Sequence, residues 1–156
     1  MDIQQFIEEQ LKERYKHFII YGSPMQGKTK LAMMISNVFN GRYLDLLNIF
    51  ELDINKKNSI DIFGPSKLIS LIKEYYEIDK GILVIDQMDF LINTWSENEF
   101  REFLGFVDQN QSNICCIFIM HNYRILERET LIKDNDKGNK RLVSIFEIHQ
   151  GVSTNV

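Results

Sequence analysis

The segment that most restricts the fold of this chain is Gly22-Ser23-Pro24-Met25-Gln26-Gly27-Lys28-Thr29. Its pattern, GxxxxGK followed by Thr, lies between an apolar run that predicts a β-strand and an apolar stripe that predicts a helix. The two glycines let the backbone approach an anion closely, and the N–H groups of such a loop converge on phosphate oxygens. The helix that follows adds the partial positive charge of its N-terminus. The segment therefore predicts a strand, a phosphate-binding loop and a helix, in that order.

The last two residues of this loop have specific chemical roles in the prediction. Lys28 places an ammonium beside the β- and γ-phosphates of a nucleotide, and Thr29 offers its hydroxyl to Mg²⁺. We expect the eight residues 22–29 to bind ATP with Mg²⁺ as cofactors, with Lys28 also acting in catalysis. The alternative, a Gly-Pro turn with an exposed lysine, does not explain a Lys-Thr pair at this spacing. ATP is preferred over GTP because Asn55-Lys56-Lys57-Asn58 lacks the aspartate of the guanine-reading NKxD pattern.

A second apolar run, Ile82-Leu83-Val84-Ile85, ends at a carboxylate, Asp86. Uniformly apolar runs are typical of strands that are covered on both faces of a parallel sheet. A carboxylate at the end of such a strand would hold the water shell of a metal opposite Thr29. We therefore predict Asp86, together with Thr29, as a metal-binding residue. The alternative is a turn or helix-start aspartate.

The predicted elements alternate between helices and strands. The predicted strands cover 18–21, 43–47, 82–85, 114–120 and 142–148. The first two predicted helices cover 2–16 and the segment from 28 to a stop at Gly41. A third helix is capped by Ser66 and stops at Gly81, and a fourth begins at the Ser96/Glu99 capping box and runs to about 107. This alternation predicts an α/β fold of three layers with a mostly parallel central sheet, whose ligands bind beyond the carboxyl ends of the strands. We expect one domain over 1–156, with an N-terminal amphipathic helix in 1–16, a core in 17–148 and a tail in 149–156.

Charge and cysteine content exclude several classes of protein. The chain has 156 residues with 18 basic and 22 acidic side chains, a formal charge of −4, which does not support direct DNA binding. Its two cysteines, Cys115 and Cys116, are adjacent in an apolar run, so they cannot form a CxxC site and are predicted to be core residues in a reducing compartment. The longest apolar run, 114–120, is too short to span a membrane, and the N-terminus has no apolar leader. We expect a cytoplasmic protein without a membrane contact.

Together, the loop 22–29 and the strand ending in Asp86 resemble the Walker A and Walker B motifs of the P-loop NTPase superfamily. The extra strand expected between them, at 43–47, resembles the RecA-like and AAA+-like branch. The resemblance covers most of the chain and implies a P-loop NTPase fold that binds ATP. Because eight residues follow the last predicted strand, we expect a RecA/AAA+-like core without a C-terminal helical lid.

The residue after Asp86 departs from that branch, in which a glutamate usually polarises the attacking water. Here it is Gln87, whose neutral amide can orient water but cannot accept its proton. Hydrolysis should then be slow unless another carboxylate serves, and Asp89 is the nearest candidate. The alternative for Asp89 is a solvated residue of the strand-to-helix loop, while Glu97 and Asp45 are weaker candidates. The sequence therefore leaves both outcomes open, hydrolysis of ATP and binding without hydrolysis.

Polar residues also follow the strand at 114–120, where the same branch carries a residue that senses the γ-phosphate. We predict Asn122 as this catalytic residue, with His121 as the other candidate; both are equally well explained as polar residues at a strand end. Arg124 and Arg128 lie where oligomeric relatives offer an arginine to a neighbouring subunit. A homo-oligomer is therefore a possible partner state, although surface arginines are commoner.

The small size of the predicted core resembles that of the BrxF proteins of type 3 BREX phage-defence systems. That resemblance implies a nucleotide-binding accessory of a defence complex with larger protein partners. Two other functions stay open: a small-molecule kinase whose lid spans 124–141, and a switch that binds ATP without hydrolysing it. The basic residues of the region 133–141 are predicted to form a solvated loop or hairpin tip; they are Lys133, Lys137, Lys140 and Arg141.

Overall fold

The computed structural model of the protein describes residues 1–128 and 132–148, with the side chain of Arg128 excepted. The strands are β1 (Phe18–Gly22), β2 (Arg42–Asp45), β3 (Ile82–Asp86), β4 (Cys115–His121) and β5 (Leu142–Ser144). The helices are α1 (Ile3–Leu11), α2 (Lys28–Val38), α3 (Leu46–Glu51), α4 (Ile54–Lys57), α5 (Pro65–Glu74), α6 (Asp89–Ile92), α7 (Glu97–Gln109) and α8 (Arg124–Arg128), with a 3₁₀ turn at Ile60–Ile62.

The strands form one sheet in the order β2-β3-β4-β1-β5, and every pairing within the described residues is parallel. The α/β prediction is therefore confirmed, and the sheet is parallel throughout rather than mostly parallel. Because the strands are parallel, their carboxyl ends share one edge, where β1, β3 and β4 bring their last residues together. This edge is where the predicted phosphate-binding loop lies.

Helices cover both faces of the sheet, which makes the three layers expected from the sequence. On one face α1 and α2 pack side chains such as Ile7 and Ile35 against Ile117 of β4. On the other face α5 and α7 pack side chains such as Phe103 against Phe118, the next residue of the same strand. Since successive strand side chains point to opposite faces, a strand buried on both faces must be apolar throughout. This explains the uniformly apolar run of β3, all of which is buried.

The ends of the first two helices differ from the prediction. α1 stops at Leu11 instead of residue 16, and the amide of Gln10 donates to the carbonyl of Lys16 2.9 Å away, which holds the chain in a turn. α2 ends at Val38, before the stop predicted at Gly41, and it is Asn40, with φ of 50°, that adopts the left-handed conformation typical of a helix end. Gly41 is needed for space, because a Cβ there would lie 2.8 Å from the carbonyl oxygen of Ile82.

The strand predicted at 43–47 and the cap predicted at Ser66 are also wrong in detail. β2 ends at Asp45, whose carboxylate accepts the N–H of Asn48 at 3.1 Å and so starts α3. α5 begins earlier than expected, with Gly64 as N-cap and Pro65 in the first turn, and it ends at Glu74, well before Gly81. Proline is favoured at the first helical position because a backbone N–H there has no partner within the helix, so its absence loses no hydrogen bond.

The predicted strand 142–148 is shorter than expected, since β5 ends at Ser144 and residues 145–148 are helical. β5 pairs with β1 in parallel, which rules out a hairpin at 134–141 and leaves a loop. The tail 149–156 lies outside the described residues.

Arg141, predicted to lie in a solvated loop, is buried beneath that loop. Its side chain is 2% exposed and lies 2.9 Å from the carboxylate of Asp108, itself 6% exposed. Its guanidinium also donates at 2.9–3.0 Å to the carbonyls of Lys133, His17, Val107 and Asp108. The correction has a physical reason, since the long side chain carries five N–H donors and bonds to carbonyl groups of three chain segments. Through these hydrogen bonds and the ion pair with Asp108, Arg141 holds the start of β5 in place beside β1.

His17 occupies the same buried region. Its Nδ1 accepts the N–H of Cys116 at 3.0 Å, and its Nε2 lies 2.9 Å from the amide oxygen of Asn110, to which it donates. Burial lowers the pKa of His17 to about 4, so the ring is neutral at pH 7. Cys115 and Cys116 are both buried free thiols, which confirms them as core residues. No helix of the described ranges is long and apolar enough to cross a membrane.

Candidate functional site

The predicted phosphate-binding loop connects β1 to α2 at the carboxyl edge of the sheet. It borders a cleft of about 300 Å³. The lining residues are Pro24, Met25, Gly27, Lys28, Thr29, Lys30, Asp86, Gln87, Asp89 and His121. The tip of the loop is the fully exposed Met25, with φ of 64°. A non-glycine residue in this conformation is strained, and such strain clusters at ligand-binding sites.

The two glycines of the loop are required for different reasons. Gly27 has φ of 79°, the left-handed conformation that only glycine adopts without strain, and it caps α2. At Gly22 the requirement is space, because a Cβ would lie 2.3 Å from Cγ2 of Ile145. Between them, the N–H of Ser23 donates to the side-chain oxygen of Gln26 at 2.7 Å, which closes the loop on itself.

Lys28 spans the loop from its far end. Its ammonium donates to the carbonyl of Gly22 at 3.1 Å and to that of Ser23 at 2.6 Å. Burial lowers the pKa of Lys28, while the carboxylates of Asp89 and Asp86 act in the opposite direction. The ammonium is thus held at the mouth of the loop, where an anionic phosphate would pair with it.

Thr29 and Asp86 meet across the cleft, although 57 residues separate them. The Thr29 hydroxyl donates to Oδ2 of Asp86 at 2.8 Å. The same oxygen accepts the hydroxyl of Tyr43 at 2.7 Å, and the N–H of Gln87 donates to Oδ1 at 2.8 Å. Asp86 is 4% exposed, so these donors are what stabilises its charge.

Tyr43 was not among the predicted site residues. A tyrosine near the start of a short strand is usually a packing residue, and its sequence position carries no signal of a contact with Asp86. Burial and the bond to Asp86 raise the pKa of Tyr43, so its hydroxyl stays protonated and donates.

The donor set fits Mg²⁺ bound together with a nucleotide. A hydroxyl and a carboxylate are hard oxygen ligands, and Mg²⁺ is commonly held by one or two protein groups with phosphate oxygens and water completing its shell. Within the described part of the chain no cluster of three or more His, Cys, Asp or Glu could hold a metal ion alone. Thr29 and Asp86 would therefore hold the ion, and the phosphates would supply the remaining charge.

Gln87 lies in the cleft, beside the predicted metal site. Its φ is 60°, and its side-chain amide donates to the hydroxyl oxygen of Thr29 at 3.1 Å. The residue that stands where a glutamate is usual is therefore hydrogen-bonded to Thr29, the predicted metal-binding threonine.

Asp89 is not the solvated loop residue that the sequence left open. Its Oδ1 accepts the N–H of His121 at 2.9 Å and the hydroxyl of Tyr123 at 2.6 Å. Its side chain is 18% exposed, and Nε2 of His121 lies 3.5 Å from its Oδ2. Burial and the bond to Asp89 raise the pKa of Tyr123, which keeps that hydroxyl a donor. The structure thus brings Asp89 and His121 into the cleft.

Other predicted candidates lie elsewhere. Asn122 is exposed and is not among the described residues that line the cleft. Asp45 caps α3, and Glu97 pairs with a residue one turn later in α7. Arg124 is exposed at the start of α8, whereas the side chain of Arg128 lies outside the described residues. The buried Arg141 cannot belong to a mobile lid, which removes one residue that the kinase hypothesis needs.

The parallel sheet, the glycine loop between β1 and α2, and the facing Asp86 define a P-loop NTPase. The chain matches the model of the ATPase family associated with various cellular activities (AAA) over residues 18–146. The match covers most of the chain, and the protein therefore belongs to the AAA family. No curated protein matches the chain, so the resemblance to BrxF proteins stays a prediction.

Proposed function

We propose that the protein binds ATP with Mg²⁺ in the cleft and hydrolyses it slowly. The observation that carries this proposal is the 2.8 Å bond between Thr29 and Asp86. It joins the end of the glycine loop to the end of β3, which is the arrangement that a nucleotide-bound metal requires. Membership of the AAA family supports nucleotide binding by the same cleft.

Each part of the cleft has a role in this proposal. The N–H groups of residues 22–27 bind the phosphates, and Lys28 pairs with their negative charge. Thr29 and Asp86 hold Mg²⁺, which neutralises charge on the β- and γ-phosphate oxygens when bound. The amide of Gln87 orients the attacking water. Because an amide cannot take the proton of that water, the rate is expected to be lower than with a glutamate at this position.

A switch that binds ATP without turnover is the second candidate, and the same residue, Gln87, favours it. In that case the nucleotide changes which partner the protein contacts, by stabilising one conformation over another. Gln87→Glu separates the two functions, because it introduces a carboxylate that can accept a proton. A slow ATPase should release phosphate about 10-fold faster or more in this variant, while the absence of phosphate release from both the wild type and the variant would favour the switch.

The finer proposal, based on the resemblance to BrxF proteins, is an accessory role in a bacterial anti-phage complex in the cytoplasm. The protein would engage larger protein partners, or further copies of itself, according to its nucleotide state. Partners that co-purify with the wild-type protein in ATP should be lost from the Lys28→Ala variant. Equal recovery with both proteins would contradict nucleotide control of the complex.

Nucleotide binding itself is tested by calorimetry with a nonhydrolysable ATP analogue and Mg²⁺. Lys28→Ala removes the cation that faces the phosphates, and we expect the dissociation constant to rise about 100-fold, equivalent to about 2.7 kcal/mol. Lys57→Ala, which truncates an exposed lysine at the end of α4, is the matched control and should bind as the wild type does. Unchanged affinity of Lys28→Ala would overturn the proposal.

A further inference from the structure

Asp89, His121 and Tyr123 form a linked group on one wall of the cleft. They come from different elements of the fold, because Asp89 begins α6 and His121 ends β4. The imidazole and the Tyr123 ring lie 6.3 Å apart between centroids, with an angle of 28° between their planes. Asp89 contacts the backbone N–H of His121, the hydroxyl of Tyr123 and the edge of the imidazole.

The carboxylate of Asp89 is occupied by these contacts. Its Oδ1 has two donors, at 2.9 and 2.6 Å, and its Oδ2 faces Nε2 of His121. Oδ1 is therefore occupied by two protein donors, while Oδ2 lies beside the imidazole. Asp89 is better suited to orient the imidazole than to act on water directly.

His121, in contrast, faces the cleft. Its side chain is 43% exposed and lines the cleft, and the β1–β4 register places it directly opposite Gly22, the first residue of the phosphate-binding loop. We propose that His121 accepts the proton of the attacking water, in place of the absent glutamate, with Asp89 and Tyr123 as positioning residues. This inference rests on the proposed hydrolysis of ATP.

The contact between His121 and Asp89 indicates which imidazole nitrogen accepts the proton. Nε2 lies 3.5 Å from Oδ2 of Asp89, so we assign the proton of the neutral ring to Nε2 and the lone pair to Nδ1. As the water oxygen bonds to the γ-phosphorus, its proton moves to Nδ1 and the bond from that phosphorus to the β,γ-bridging oxygen breaks. The bridging oxygen leaves with the electron pair on ADP, and the imidazolium later releases its proton to solvent. Asp89 stabilises the imidazolium while it exists.

The other groups of the cleft are less able to take this proton. Lys28 and Lys30 of α2 are cations, and Gln87 is a neutral amide. Asp86 already accepts the hydroxyls of Thr29 and Tyr43. His121 is thus the described cleft residue that combines a basic nitrogen with a charged partner.

The test compares His121→Asn with the wild type in two assays, binding of an ATP analogue and release of phosphate across pH 5–9. The variant should bind the analogue within about 3-fold of the wild type and release phosphate at least about 100-fold more slowly. If His121 is the proton acceptor, the wild-type rate should fall as the pH drops across this range, and the variant should lack this dependence.

Asp89→Asn tests the positioning role, since it removes the charge that favours the imidazolium. Its rate should be lower and its dependence on pH should move to lower pH. Asp79→Asn, which neutralises an exposed carboxylate in the loop before β3, is the control and should leave both unchanged. If His121→Asn does not fold, as judged by circular dichroism, His121→Gln replaces it.

Three results of the phosphate-release assay would overturn the role of His121. They are wild-type release by the His121 variant, a pH dependence shared by that variant, and ATP binding by the wild type without any phosphate release. Each of these leaves the proposed nucleotide binding intact, because that proposal is tested separately by Lys28→Ala. Loss of analogue binding in the His121 variant would also reject the role of proton acceptor.

Discussion

Replacing Arg141 by methionine should be strongly destabilising, because one buried side chain joins several segments of the core. The guanidinium donates to four backbone carbonyls and to the carboxylate of Asp108. Methionine fills a similar volume but has no donor. Arg141→Met would therefore leave the carboxylate of Asp108 buried without its cation.

The expected loss follows from the burial of both partners, 2% and 6% exposed. Removing one member of a buried ion pair costs about 3–5 kcal/mol, since the remaining charge is desolvated and unpaired. Domains are typically stable by about 5–15 kcal/mol, so the variant loses a large share of the total. For a chain of this size the midpoint of thermal unfolding should fall by about 6–20 °C.

The measurement is urea unfolding followed by circular dichroism at pH 7, with Lys140→Met as the control. Lys140 is the neighbouring exposed cation, and its replacement should change the free energy of unfolding by no more than about 0.5 kcal/mol. A loss below about 1 kcal/mol in Arg141→Met would refute the reasoning. It would mean that Asp108 and the carbonyls find other donors or water.

Three further predictions concern the cleft and the pH dependence of folding. Gly22→Ala should lower the free energy of unfolding by about 1–3 kcal/mol, because the new methyl would lie 2.3 Å from a side-chain carbon; Gly81→Ala, with nothing within 4 Å of its Cβ, is the control in the same urea assay. Tyr43→Phe removes a donor to Asp86, and we expect calorimetry to give an Mg·ATP dissociation constant about 3- to 10-fold higher; an unchanged constant would contradict the positioning of that carboxylate. The pKa of His17 is about 4 in the folded protein, below the 6.5 of an exposed ring, so the unfolded chain binds the proton more readily. The free energy of unfolding should therefore fall by up to about 3 kcal/mol as the pH drops from about 6.5 to 4. Proton NMR of the ring checks this, and a folded-state pKa near 6.5 would contradict it.

Much of the scaffold of the site could be predicted because its signals are local. The glycine loop 22–29, the strand before Asp86 and the capping box at Ser96 each follow from a few neighbouring residues. A phosphate-binding loop needs glycines at set positions, and a doubly covered strand needs apolar residues on both faces. Such local patterns can be recognised from neighbouring residues alone, without knowing which segments lie side by side in the fold.

Element ends were predicted less well, since they depend on competing local partners. Asp45 ends β2 by capping α3, and Asn40 rather than the adjacent glycine takes the left-handed conformation. Aspartate, asparagine and glycine can each occupy several positions near a helix end, and the surrounding packing decides which position each residue takes.

The contacts that complete the site were decided by the tertiary structure. Tyr43 meets Asp86 because β2 lies beside β3, and Asp89 meets His121 because β4 follows β3 in the sheet. Arg141 is buried because β5 is placed next to β1. These pairs are separated by about 30 residues or more in the chain, and contacts at such distances leave no periodic pattern in the sequence. The sequence by itself determined the position of the glycine loop that we propose binds phosphate, whereas strand order determined which side chains face that loop.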